Sequence, residues 1–264
     1  MESIIATYQP ITLEEMSSIK LMNRTDTKFV TTVDRLKLLL TLAKDDYRVQ
    51  DTDGVRNALY YTAYFDTHDN NMYIVHQNGH AGRQKLRIRS YVDSGLNFLE
   101  VKTKNNHGRT KKKRVDMVGF DPRNPDHNIR FMRQDDQFKS YDQFLRKHLR
   151  YDPTTLSEHM ENNFHRITLV NKAKTERVTI DTDLKFHNLV TDNGVDLTGL
   201  VIIELKRDGL QPSPILGMLR ELRIMPSGFS KYCMGSALTN PSLKRNNFKE
   251  RLHYIERLLS RMQN

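Results

Sequence analysis

Tryptophan is missing from this chain, cysteine occurs once, and no apolar run approaches the roughly twenty residues that a membrane-crossing helix needs. The lone thiol, Cys233, excludes an internal disulfide and fits a reducing compartment. The opening residues, Met1-Glu2-Ser3-Ile4-Ile5, offer no basic segment followed by a long apolar one. The chain is therefore expected to be cytoplasmic, or peripheral to the inner face of a membrane through a partner. Proline and glycine are scattered and no internal repeat or low-complexity tract interrupts the sequence, so residues 1–264 are expected to form one domain. Hydrophobic residues make up 37%, low for this length, which fits a fold whose centre is polar.

What is abundant is positive charge. Lys and Arg number 42 against 32 Asp and Glu, a formal charge of +10, so an acidic partner is expected. Nucleic acid, anionic lipid and phosphate-rich small molecules all qualify. No helix-turn-helix, zinc-finger or RNP pattern accompanies the cations, which argues against sequence-specific nucleic acid. Ser230-Lys231-Tyr232 lacks the preceding glycines of a P-loop. The ten histidines form no Cys/His cluster at zinc spacing and are read as surface residues.

The cations are arranged with a strand's period. In Lys85-Leu86-Arg87-Ile88-Arg89 the charges alternate with apolar residues, so a strand sends the three cations to one face and Leu86 and Ile88 to the other. Glu100, Lys102 and Lys104 alternate in the same way with Leu99 and Val101, and Asp93-Ser94-Gly95 supplies a hairpin turn between the two. Arg24, Asp26 and Lys28 repeat the design, as do Arg177, Thr179 and Asp181 against Val178 and Ile180. In the basic run 109–117, the shared parity of Val115 and Met117 sends Lys112 and Arg114 to the opposite side. The most apolar strand, 200–206, places Glu204 beside Lys206, and a carboxylate buried there must be paired or bound to a metal.

Helices are expected between these strands. Leu13, Met16 and Ile19 mark a short one over 12–22, and Thr31-Thr32-Val33-Asp34 reads as a capping box opening a helix that runs to Lys44. Apolar rows predict further helices over 135–150, from Pro214 with Leu216, Leu219 and Leu222 buried, and at the end of the chain through Phe248, Leu252, Ile255 and Leu259. Strands are expected at 60–66, 163–169 and 177–182. The pattern is that of an α+β fold of two similar halves.

If helices cover the apolar faces from outside, the sheet curls into an antiparallel β tunnel barrel with a basic interior. Like charges about 5 Å apart repel by roughly 3 kcal/mol at an effective dielectric of 20. An anion in the tunnel would balance that repulsion, and arginine forks with lysine point charges suit phosphate oxygens.

Taken in order, Arg24-x-Asp26-x-Lys28-Phe29, Tyr64-Phe65-Asp66-Thr67, Lys85-x-Arg87-x-Arg89-x-Tyr91, Glu100-x-Lys102, Arg166, Arg177-Val178-Thr179-Ile180-Asp181, Glu204-x-Lys206 and Ser230-Lys231-Tyr232 resemble the polyphosphate polymerase domain of the vacuolar transporter chaperone (VTC) family, a branch of the triphosphate tunnel metalloenzymes. The resemblance implies that ATP and a growing polyphosphate chain occupy the tunnel. It makes Lys28, Arg87, Arg89, Lys102, Arg166, Arg177 and Lys231 the phosphate ligands of the reaction and Glu204 the carboxylate that holds Mn²⁺ or Mg²⁺. Lys85, Lys112, Arg114, Lys206, Ser230 and Tyr232 become supporting phosphate contacts. A membrane protein that moves the polymer is the partner the resemblance suggests. Hydrolysis of triphosphate or nucleotide, and polyphosphate binding without turnover, stand as alternatives; other tunnel enzymes have Glu-x-Glu-x-Lys where this chain has Arg24-x-Asp26-x-Lys28.

Overall fold

A computed structural model describes residues 1–17, 24–106, 109–122, 136–209 and 211–263. In chain order the first half contains α1 (Glu2–Ile5), β1 (Pro10–Ile11), α2 (Leu13–Ser17), β2 (Arg24–Thr32), α3 (Val33–Ala43), β3 (Tyr47–Gln50), β4 (Ala58–Thr67), α4 (Asn71–Gln77), β5 (Gln84–Tyr91), β6 (Leu96–Lys104) and β7 (Thr110–Asp116). The second half contains α5 (Asp136–His148), β8 (Leu156–Asn171), β9 (Glu176–Asn188), β10 (Asn193–Leu197), β11 (Leu200–Asp208), α6 (Pro214–Glu221), α7 (Lys231–Thr239) and α8 (Lys249–Gln263). Ile19 of the expected lead-in helix and the side chains of Arg24 and Phe138 lie outside the described residues.

The α+β expectation holds. Eleven strands form one sheet in the order β2-β11-β9-β8-β4-β5-β6-β7, with β10 beside β9 and β3 beside β8. Every neighbouring pair along that path is antiparallel. The strands do not fall into two halves but interleave, β2 from the beginning of the chain pairing with β11 from near its end. Register shifts at Tyr64/Phe65 and between Asn163 and His165 bend the long central strands, as β-bulges do. The resulting curl is not a strict barrel, because β2 and β7 stand at opposite ends of the strand order without pairing to each other. Strand β7 carries Lys111, Lys112 and Lys113 along an exposed edge, a composition that resists further pairing.

The convex face is apolar and covered. Leu36, Leu39 and Leu40 of α3 and Ile215 and Leu219 of α6 pack on Phe29, Val178, Ile180, Val201, Ile203 and Leu205. Tyr141, Leu145 and Leu149, in and just after α5, pack on Phe65, Leu86, Ile88, Leu99 and Val101. Two local details differ from the sequence reading. Thr32 stands at the start of α3 without a side-chain cap bond, because Thr31 and Thr32 are still paired to β11, so no capping box forms. In α6 the buried pair is Ile215 and Leu219, with Leu216 and Leu222 half-covered at the flank.

The larger difference concerns α7, which had been expected neither as a helix nor inside the curl. Val30, Tyr60, Tyr64, Met160, Phe164, Phe186 and Ile202 make part of the concave face apolar, and they are covered by Tyr232, Cys233, Met234 and Ala237 of α7 backed by Leu252 and Ile255 of α8. The fit is close at Gly235, where an added Cβ would lie 2.5 Å from the Phe186 ring and 3.0 Å from the Met160 methyl. Helices thus cover the sheet on both faces, and only the remaining part of the interior is open and charged. Among the described residues no helix is long and apolar enough to cross a membrane.

Candidate anion-binding site

The open part of the interior is a cavity of about 1030 Å³ whose wall is drawn from β2, β4, β5, β6, β7, β8, β9 and β11, with α7 and α8 closing one side. Thirteen lysines and arginines line it against four carboxylates, so the wall is strongly cationic whatever its contents. The period-2 registers explain the convergence. Lys85, Arg87 and Arg89 point inward because Leu86 and Ile88 are in the core, and Glu100 and Lys102 do so opposite Leu99 and Val101.

Three of the four acids each sit between two cations supplied by different positions of the wall. Glu204 on β11 meets Lys28 of β2 at 2.7 Å and Lys206 of its own strand at 3.1 Å. Asp181 on β9 accepts from Arg166 Nε and Nη2 at 2.6 and 2.8 Å and also from Lys231 Nζ. Glu100 on β6, with no solvent exposure, accepts from Arg87 at 2.6 and 2.8 Å and from Lys112 at 3.1 Å. Burial pushes each carboxyl up, but the surrounding cations outweigh it. Arg166 and Lys231 bring Asp181 down to about 2, Lys206 and Lys28 hold Glu204 well below the usual range, and Arg87, Arg89, Lys102 and Lys112 do the same to Glu100.

The cations remain in excess. Burial, then Arg87 and Arg166, lowers Arg89 to about 10, and its Nε is buried without a partner. Lys102 is held well below the usual lysine range by burial and by Arg87 and Arg89. Burial lowers Lys85 to about 8, with Arg87 and Lys28 adding to the effect, while its Nζ donates to Ser230 Oγ at 2.9 Å. Lys231 also falls to about 8, because burial and Arg166 outweigh the neighbouring Asp181. Lysines poised this way carry their full charge more readily when an anion arrives.

The structure therefore brings Lys28, Lys85, Arg87, Arg89, Lys102, Lys112, Arg166, Arg177, Lys206, Ser230, Lys231 and Glu204 around one cavity. Two expected contacts lie elsewhere. Arg114 is exposed at the end of β7, its guanidinium 4.2 Å from the centre of the Phe98 ring. Tyr232 is buried, stacked on Tyr64 at 5.2 Å, and its hydroxyl donates to Asp66. The reason is helical geometry: successive residues of α7 turn by about 100°, so Lys231 reaches the cavity while Tyr232 faces the packing. Asp66 also accepts from the backbone N–H of Met72 and Tyr73 at 2.8 and 2.9 Å, so it fastens α4 to α7.

Three cations and one histidine of the wall were not among the candidates. Arg83 extends the Lys85 row by one position and Lys104 already stood in the Glu100 row, a signal available in the sequence, whereas His76 and Arg251 come from helices and had none. The histidines are not all on the surface: His159 is buried with Nδ1 3.0 Å from Asn70 Oδ1, and His76 lines the cavity. Among the described residues no three His, Cys, Asp or Glu side chains come together as a metal cage.

Comparison with known proteins gives the following. The sequence model of the VTC domain matches residues 23–240. No curated protein matches the chain. Among solved structures, a protein of Bacillus halodurans proposed to be an adenylate cyclase is similar at 13% identity over 79% of this chain and 96% of that one, with a TM-score of 0.49. HpAC1 from Hippeastrum, a proposed adenylyl cyclase reported to have a dominant triphosphatase activity, is similar at 13% identity over 83% of this chain and 97% of that one, with a TM-score of 0.47.

Proposed function

The chain belongs to the VTC domain family, and from that premise we propose that it is a polyphosphate polymerase, transferring the γ-phosphate of ATP to the end of a growing polyphosphate chain. The observation that carries the reading is the excess of wall cations left after every deep carboxylate has been neutralised twice over. Such a wall is complementary to a run of phosphates and to little else of that size.

Phosphoryl transfer asks for positioning and charge stabilisation more than for covalent chemistry by the protein. Arg87, Arg89 and Arg166 are held on strands by Glu100, Thr62 and Asp181, which fixes their forks before substrate enters. Lys231, at the N-terminus of α7, adds a point charge beside Arg166 and aligns with the positive end of the helix dipole. Lys28, Lys206, Lys85 and Lys102 supply charge to the neighbouring phosphates.

The same geometry favours transfer to phosphate over transfer to water. Activating water needs a base whose pKa lies near the working pH, yet Glu100, Asp181 and Glu204 are all held far below it and tied to cations. A terminal phosphate is already ionised and needs no base.

Mg²⁺ or Mn²⁺ completes the reading. Glu204 is ionised and spends one oxygen on Lys28 and the other on Lys206, so it does not make an all-protein site; with those lysines turned to phosphate it fits a hard cation that keeps its waters and takes most other ligands from phosphate oxygens. Glu204 would hold it, and when bound the ion supplies further neutralisation of phosphate charge.

Incubation with ATP and Mn²⁺ or Mg²⁺, followed by electrophoresis of the products, tests the proposal. Long polymer is expected; orthophosphate would indicate hydrolysis, and binding without turnover a sensor or scaffold. Lys231→Ala should abolish polymer while leaving the circular dichroism unchanged, and undiminished yield from that variant would remove Lys231 from the reaction.

A further inference from the structure

At the end of the cavity where β5 begins and β6 finishes, the ion-pairing pattern of the centre stops. Arg83, Lys104 and Arg251 line the cavity here together with His76. The largest charge effects on His76 come from Lys85, Arg83, Lys104 and Arg251, all positive. The imidazole is half-buried, and its Nδ1 is buried without a hydrogen-bond partner. Burial and those four cations drive its pKa down to about 2, so it is neutral and has a polar atom to offer.

The supporting geometry is built. Arg83 continues the Lys85-Arg87-Arg89 row, and its Nη1 is fixed by the carbonyls of Gly79 and His80 at 3.1 and 2.8 Å. The backbone N–H of Lys104 bonds to the Arg83 carbonyl at 3.0 Å, which sets the ends of the two rows side by side. Arg251, from α8, passes over Gly228, where even a Cβ would come within 3.3 Å of its guanidinium. Residue 251 lies outside the 23–240 segment that matches the family.

We propose that His76, Arg83, Lys104 and Arg251 form a second anion station that holds a linear phosphate chain beyond its first three phosphates. The inference rests on the proposed function for the identity of the anion and adds where the longer chain runs. Distance supports it: four and six residues separate Arg87 and Arg89 from Arg83, about 13 and 20 Å at the usual strand rise, so a triphosphate held across the central arginines does not reach it. A longer chain does, and it would follow the two rows outward to a place where cations wait without carboxylates.

The test compares two anions on two proteins. Inorganic tripolyphosphate and a long-chain inorganic polyphosphate are titrated calorimetrically into the unmodified chain and into Arg251→Gln, whose exposed side chain can be changed without touching the core. The unmodified protein should bind the long chain more tightly than tripolyphosphate. Arg251→Gln should weaken the long chain by about tenfold, the size expected for losing a charge-assisted contact, and shift tripolyphosphate less than twofold. Lys104→Gln should reproduce that selectivity. Equal weakening of both anions would place Arg251 in the central site and overturn the proposal, as would no change in either. If the unmodified protein binds tripolyphosphate but shows no preference for the longer chain, the second station fails while the central reading stands; if it binds neither, both fall.

Discussion

Filling the cavity should pull protons onto the protein. Lys85 and Lys231 are each lowered to about 8 from an ordinary value near 10.5, the first cause in both being burial. Phosphate oxygens beside them restore the charged form. At pH 8 each lysine is half protonated when the cavity holds no anion, so occupation takes up about half a proton at each, about one in all. Between pH 7 and 9 the charged fraction falls from about nine-tenths to about one-tenth, which weakens anion binding about tenfold per lysine and about a hundredfold for both, roughly 2.7 kcal/mol. Tripolyphosphate's own last proton also titrates near this window, so its uptake is measured on the anion alone and subtracted; the remainder belongs to the protein. Calorimetry with tripolyphosphate at pH 8 in two buffers of different ionisation enthalpy measures the uptake directly. Stability without anion should move the opposite way. Lys231, only 11% exposed, is charged below pH 8 at a cost of about 3 kcal/mol, and this cost is released as pH rises from 8 towards 10.5. The melting temperature without anion should therefore climb above pH 8 while that of the saturated protein does not. Buffer-independent binding heats together with an affinity constant from pH 7 to 9 would refute the reasoning.

Other outcomes follow from single contacts. Glu100→Gln strips the charge from a fully buried acid bonded to Arg87 and Lys112, and should cost about 3–5 kcal/mol in denaturant unfolding; saturating tripolyphosphate, which supplies the missing negative charge, should return part of it. Gly235→Ala places a methyl against Phe186 and Met160 and should cost about 1–3 kcal/mol by overpacking, with polymer synthesis reduced because Lys231 sits on the displaced helix. At a hundred times its dissociation constant, tripolyphosphate should stabilise the unmodified chain by about 2.7 kcal/mol, read as a rise in melting temperature that salt diminishes.

Much of the wall was legible because a strand's period of two is a simple code. Lys85, Arg87 and Arg89 could be placed on one face from their alternation with Leu86 and Ile88, and the same held for Glu100 and Lys102. Strand lengths were less legible. β8 runs sixteen residues and β9 thirteen, but Asn162, Asn163, Asp183 and Lys185 look like turn or surface residues until the bulged pairing between the two strands is seen. The helix α7 gave almost no signal, since Tyr232, Cys233, Met234, Gly235, Ser236 and Ala237 are all buried, and a helix covered all round has no stripe to detect. That omission also explains Tyr232: beside Lys231 in sequence it looked like a neighbour in the site, and only helical geometry turns it towards Asp66. The partnering of Glu100 with Lys112 depends on the register of β6 against β7, and that of Asp181 with Lys231 on a contact between segments fifty residues apart, neither of which alternation alone can supply.

The element that carries Lys231 belongs to the stuffing of the molecule and not to its frame. The arginines ride on ladders of main-chain bonds, whereas α7 is kept in place by side-chain contact with Phe186, Met160 and the tyrosines around it. Warming or a distant core substitution loosens contact of that kind before it opens a ladder. The cavity should then lose the charge of Lys231 while its sheet is still intact, its arginines in position and its lysine adrift.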